Sequence, residues 1–118
     1  MLLRIDPDSA APLYDQIAAS VRREVAVGRL GAGERLPSAR EVAEALDVNL
    51  HTVLKAYQLL RDEGLLEMRR GRGAVVSSRA DALAELRSEA EALASRGRAL
   101  GLGPEALAAL VRAAAEES

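Results

Sequence analysis

Leu13, Ile17, Val21 and Val25 return every four residues, which puts them on one face of a helix. Pro12 suits the first helical position, where its missing N–H would have no partner, and Gly28 suits the end, so the spacing predicts a first helix over about 12–27. Residues 28–37 carry three glycines and a proline among polar side chains, which predicts a loop with a short strand at Arg35 and Leu36. Ser38-Ala39-Arg40-Glu41 then forms a capping box. The Ser38 hydroxyl can accept from the Glu41 N–H while the Glu41 carboxylate reaches back, and a second helix starts there with Val42, Ala43 and Leu46 on its buried face. Asp47-Val48-Asn49 interrupts the period, and Asn49 suits the N-cap of a third helix. In that helix Val53, Ala56, Tyr57 and Leu60 fall at i, i+3, i+4 and i+7 and face the core. His51, Lys55, Gln58 and Asp62 take the opposite face, and Gly64 suits the C′ position. Two short helices across a tight turn, the second with donors near its start, make a helix-turn-helix.

After Gly64 the rhythm changes. Residues 65–69 and 74–77 predict two short strands around Arg70-Gly71-Arg72-Gly73, a β-hairpin with a basic tip in the position of a winged helix's wing. From Ala80 the chain turns helical again. Leu83, Leu86, Ala90, Leu93, Gly97 and Leu100 are spaced alternately three and four apart, as in a coiled-coil seam. Gly101-Leu102-Gly103 breaks the chain, Pro104 restarts it, and Leu107, Leu110, Val111 and Ala114 form a last apolar stripe. The expected fold is therefore mainly α with a small β-wing: a winged helix-turn-helix over 1–77 and a two-helix hairpin over 78–118. A hairpin that small buries too little surface to stand alone. Its seam either packs within the chain or meets a second copy.

Composition narrows the function. The chain has 118 residues and 49% hydrophobic positions, 24 of them Ala, and no Cys, Trp or Phe, which suits helices around a thin core. Without Cys there is no disulfide or thiol chemistry, and one histidine, His51, builds neither a His-based metal site nor a Ser-His-Asp triad. No enzyme role, metal or cofactor is expected. No apolar run is long enough to span a bilayer, and the start at Met1-Leu2-Leu3-Arg4 lacks the regions of a signal peptide, so the expected setting is the cytoplasm and no membrane partner is expected. The net charge of −2 does not advertise nucleic acid, but it conceals the local cluster Arg69-Arg70-Gly71-Arg72. Taken alone, such a run is most simply a solvated turn.

Across nearly its whole length the chain resembles the GntR-type bacterial transcription regulators. The resemblance is carried by Pro12-Leu13-Tyr14-Asp15-Gln16-Ile17, Gly28-Arg29-Leu30, Gly33-Glu34-Arg35-Leu36-Pro37-Ser38-Ala39-Arg40, Val48-Asn49, Thr52-Val53, Ala56-Tyr57, Glu63-Gly64-Leu65 and Gly71-Arg72-Gly73. The short tail, Ala56-Tyr57 and Leu100-Gly101-Leu102 are most similar to the YtrA subfamily. The resemblance implies a homodimeric repressor held together by its tail and acting on a double-stranded operator, often of an operon encoding an ABC transport system. It also implies DNA contact by Arg40, Asn49, Leu50, His51, Thr52, Arg70 and Gly71. Leu50 and Leu54 stand where many relatives carry arginine, so the docking mode carries over and the base preference does not.

Each candidate has a plainer alternative. Arg40 can pair with guanine, clamp a phosphate, or close an ion pair on Glu44 one turn along. Asn49 can cap, reach a phosphate, or both. His51 and Thr52 occupy the first turn of the recognition helix, where a protonated His51 would strengthen DNA binding as the pH falls. Leu50 and Leu54 suit thymine methyls or local packing, Lys55 and Gln58 can reach phosphate or base edges, and Tyr57 belongs to the core. Ser38 joins the DNA-binding set at the start of the second helix, and Arg69, Arg70 and Arg72 suit a minor groove, with Gly71 allowing close approach. Leu83, Leu86, Ala90, Leu93, Leu100, Leu107, Leu110 and Val111 are the candidate dimerisation positions. A small-molecule effector would need the dimer interface or the junction between tail and head for its pocket. The competing reading is a helical assembly protein without sequence-specific DNA binding.

Overall fold

The computed structural model describes residues 3–118; Met1 and Leu2, part of the start read above, lie outside them. The elements are α1 (Leu13–Ala26), α2 (Ala39–Leu46), α3 (Leu50–Asp62), β1 (Leu66–Arg69), β2 (Gly73–Val76), α4 (Arg79–Ala99) and α5 (Pro104–Glu116). The chain divides into two compact units, one ending at Ala84 and one running from Glu85 to Ser118.

In the first unit α1 and α2 both pack on α3, which also lies against β1. The predicted stripes meet in one core: Ile17, Val21 and Val25 from α1, Val42 and Ala43 from α2, and Val53, Ala56, Tyr57 and Leu60 from α3. Leu46 packs at its margin, and Leu13, also from the predicted stripe, is half-buried. Leu30 and Leu36 of the loop and Leu66, Ala74 and Val76 of the hairpin close it. The capping box at the start of α2 is complete: the Ser38 hydroxyl accepts from the Glu41 N–H at 3.1 Å, and the Ser38 N–H donates to the Glu41 carboxylate at 3.3 Å. Asn49 Oδ1 accepts from the His51 N–H at 2.8 Å and caps α3. Between the two helices Asp47 takes a left-handed conformation, φ 54°, that sends its N–H back to the Ala43 and Glu44 carbonyls and turns the chain sharply. Asp is among the few side chains that tolerate this region.

Strands β1 and β2 pair antiparallel, from Leu66 opposite Val76 to Arg69 opposite Gly73, with Arg70-Gly71-Arg72 as the turn. The strand expected at Arg35 and Leu36 is a single bridge from Arg35 to Val75 on β2. It is secured by Gly33 N–H to the Val76 carbonyl, Val76 N–H to the Glu34 carbonyl and Leu36 N–H to the Ala74 carbonyl, at 2.8–2.9 Å.

The first unit continues beyond residue 77, where the sequence pattern divides the chain. The opening turn of α4 is anchored to the end of α3: Ala80 is buried, the Ser77 hydroxyl donates to the Gly64 carbonyl, and the Arg79 guanidinium donates to the Glu63 carbonyl at 2.8 Å. The division therefore falls inside α4.

The second unit comprises the rest of α4, the turn at Gly101-Leu102-Gly103, and α5. Gly97 is buried beneath Leu107, and a Cβ at Gly97 would lie 2.7 Å from the Leu107 Cδ1. Leu107, expected on the dimer surface, is thus half-buried inside the hairpin, because the missing side chain at Gly97 leaves a socket for it. Leu86, Leu93, Leu100, Leu110 and Val111 remain exposed, as does Leu83 in the first unit. Ala90 is exposed as well.

Candidate nucleic-acid interface

The helix-turn-helix places its polar side chains by local rules. Arg40 is the second residue of α2, directly after the residue that follows Ser38, so the capping box orients the turn that carries it. The Ser38 hydroxyl and the Glu41 carboxylate are both engaged in the box, and Arg40 is exposed. The ion pair open to Arg40 through Glu44 does not form. Asn49 realises the capping alternative with its carbonyl oxygen, and its amide NH2 remains available as a donor. Leu50 is half-buried and packs on the core, Thr52 and Leu54 are half-buried, and His51 and Gln58 are exposed. Among the described residues the side chains of Arg40, His51 and Arg70 have no hydrogen-bond or ion partner. Elsewhere in this unit Arg22 and Arg29 each close on a carboxylate at 2.6 Å.

The hairpin distributes its three arginines unequally. Arg69 lies in β1 and pairs with Glu67 at 3.0 Å, Arg72 donates to the Gly33 carbonyl at 3.4 Å, and Arg70 at the turn is free among the described residues. Gly71 adopts φ +80°, a conformation that suits glycine, and a Cβ there would meet nothing within 4 Å. Its role is to shape the turn and keep it slim.

Lys55, on the outer face of α3, is exposed and has its ammonium 4.0 Å from the centre of the Tyr14 ring on α1. Tyr14 belongs to the Pro12–Ile17 motif, whose spacing along the chain assigns it no partner. The available signal was an aromatic ring in the first turn of α1, beside the apolar stripe. Tyr57 is buried, and its hydroxyl donates to the Pro37 carbonyl at 2.7 Å, tying α3 to the residue just before the capping box. Burial, with a smaller contribution from the charge of Glu41, raises the Tyr57 phenol above its ordinary pKa. It is a neutral donor at any physiological pH, so it supports the site and carries no charge into it. Among the described residues no group of His, Asp and Glu could hold a metal ion, and no helix is long and apolar enough to cross a membrane.

The sequence and fold have counterparts in known proteins. The chain is 40% identical over 79 residues to the HTH-type transcriptional repressor YtrA of Bacillus subtilis strain 168, a match covering 67% of this chain and 61% of that protein. The structure of YtrA from Sulfolobus acidocaldarius, a GntR-family transcription factor, is similar with a TM-score of 0.62 and 37% identity, over 84% of this chain and 99% of that one. The DNA-binding domain of AraR, crystallised in complex with operator ORX1, aligns with a TM-score of 0.57 and 27% identity, over 64% of this chain and 93% of that one. The family model for bacterial regulatory proteins of the gntR family matches residues 13–76, from the first residue of α1 to the last of β2. With these elements and motifs in order, the chain belongs to the gntR family of bacterial regulatory proteins.

Proposed function

We propose that this chain is a sequence-specific transcription regulator, a homodimeric repressor that reads a palindromic operator in the cytoplasm. The observation that carries the reading is the helix-turn-helix itself: Arg40 and His51 stand exposed without a protein partner, and Arg70 does the same at a glycine-shaped hairpin turn. Unpartnered cations and donors at the start of a recognition helix suit phosphates and base edges. Arg40 serves as the base-reading or phosphate-clamping arginine, Asn49, His51 and Thr52 as the contacts of the first turn, and Arg70 as the minor-groove contact beside Gly71. Arg69, held by Glu67, and Arg72, drawn to Gly33, contribute field more than direct contact.

Repression follows the name of the Bacillus relative, and the resemblance to the YtrA subfamily extends the reading to an operon encoding an ABC transport system. Dimerisation rests on the exposed leucines of the tail, Leu86, Leu93, Leu100 and Leu110, which a lone hairpin leaves in water. A two-fold dimer reads two half-sites about one helical turn apart, hence the palindrome. In this reading an effector acts by changing the angle between the two DNA-binding heads, because the match to half-site spacing is geometric.

The test is footprinting on the DNA upstream of the chain's own operon, against excess competitor, at several salt concentrations. A protected palindrome is expected. With about five phosphates neutralised per protomer, log affinity should fall against log salt with a slope of roughly −9. Absence of binding even at low salt would overturn the reading and favour the assembly protein.

A further inference from the structure

We infer that Tyr14 is a positioning residue for DNA binding: its ring holds the Lys55 ammonium as a fixed phosphate contact, so that α1 and α3 grip one backbone strand together. The inference rests on the DNA-binding reading above and adds a residue to it. Lys55 Nζ sits 4.0 Å from the Tyr14 ring centre. Tyr14 lies in the first turn of α1, Lys55 in the middle of α3, and the two helices are packed on each other.

The choice of partner carries the argument. The residues within helical reach of Lys55 are His51, Thr52, Gln58 and Leu59, none of them a carboxylate, and among the described residues Lys55 forms no ion pair. A carboxylate would order the long lysine side chain and also cancel the charge that attracts a phosphate. An aromatic face attracts the ammonium through its quadrupole and leaves the charge intact. An ammonium has three N–H donors, so a ring on one side leaves others for phosphate oxygens. Lysine otherwise loses much rotamer freedom when it binds, and a lysine already ordered by a ring has less to lose. His51, one turn before Lys55 on the same face of α3, extends the same polar strip towards the helix start. A pair that served only to tie α1 to α3 would gain little from a charged end at an exposed position, because Ile17, Val21, Val53 and Ala56 already join the two helices in the core.

The test is a double-mutant cycle read as DNA affinity, on operator and on unrelated duplex, with thermal unfolding alongside. Lys55→Met should weaken both DNAs to a similar degree and make the salt slope shallower by about 0.9, one phosphate contact. Tyr14→Leu should weaken binding about three- to tenfold, the weight of one cation–π contact, with the salt slope nearly unchanged because the charge remains. In the Lys55→Met background Tyr14→Leu should have no further effect. Tyr14→Phe keeps the ring and should bind as the parent does. Additive losses, or a Tyr14→Phe variant as weak as Tyr14→Leu, would overturn the inference and assign the hydroxyl or the fold instead. So would unchanged affinity in a Tyr14→Leu variant, and if that variant unfolds, the Phe variant and Lys55→Met still decide. A parent protein that binds neither DNA at low salt overturns the DNA-binding reading itself, and this inference with it.

Discussion

The two units use the same kind of residue in opposite ways. In the first, leucines and valines at helical spacing disappear from water: Ile17, Val21, Val53 and Leu60 are all at 0% exposure. In the second, leucines at equally regular spacing stay in it, with Leu86 at 54% and Leu100 at 68% exposure, and α5 buries no residue. The difference lies in geometry more than in composition. Three helices and a hairpin surround a common interior, whereas two helices have only one mutual face, and here Gly97 and Leu107 occupy it. A regular apolar stripe on a two-helix unit is thus a surface feature, and it is where the proposed dimer contact would form. The first unit buries its apolar stripes within itself, and the second leaves its stripe on the surface.

That contrast can be broken where it is strongest. Leu60→Ala in α3 should destabilise the first unit by about 2–5 kcal/mol, the usual range for emptying a buried leucine site. Urea unfolding followed by circular dichroism measures it, and Leu100→Ala under the same protocol should leave that transition in place. Replacing Leu93 and Leu100 together by glutamate should weaken self-association at least about a hundredfold, since a charge buried in an apolar contact costs several kcal/mol. Sedimentation equilibrium reads this directly, and a species whose mass is unaltered would show that the exposed stripe serves no dimer. Arg40→Ala isolates the candidate interface: operator affinity should fall by about 1–3 kcal/mol, while unfolding and self-association stay at parental values.

The finest probe is Tyr57→Phe, which removes the bond to the Pro37 carbonyl and should cost about 1 kcal/mol. It also has a pH signature. Because burial, and secondarily Glu41, raises the phenol in the folded state, the unfolded chain loses this proton first. The contribution is therefore fully present below pH 10, the ordinary phenol value, and is lost as the pH rises beyond it. Chemical unfolding at pH 8 and pH 11 should show a steeper decline in the parent than in the Phe variant.

What the sequence made legible is what depends on neighbours along the chain. The capping box at Ser38, the Asn49 cap, the helical stripes and the hairpin around Gly71 are all set within a few residues, and each is found within a residue or two of its expected place. What it hid depends on where elements meet. Periodicity places Leu107 on an apolar stripe, but only the partner helix shows that Gly97 opens a socket for it. The Arg69-Arg70-Gly71-Arg72 run reads as three equivalent cations, yet Glu67 two residues back and Gly33 on a distant loop claim two of them. The pairing of Tyr14 with Lys55 spans two helices, and no spacing rule reaches that far. The late boundary at Ala84 has the same origin, since Arg79 is tied to the Glu63 carbonyl, well back along the chain.

The bridge between the Arg35 segment and β2 bears on how the molecule behaves in a crowd of its own copies. With β1 on one side and 33–36 on the other, β2 has both of its edges filled. Among the described residues, the outer edge of β1 is all that the sheet leaves open, four residues long and bearing Glu67 and Arg69. Short charged edges recruit foreign strands poorly. The hairpin can therefore stand in solvent without becoming a seed for aggregation.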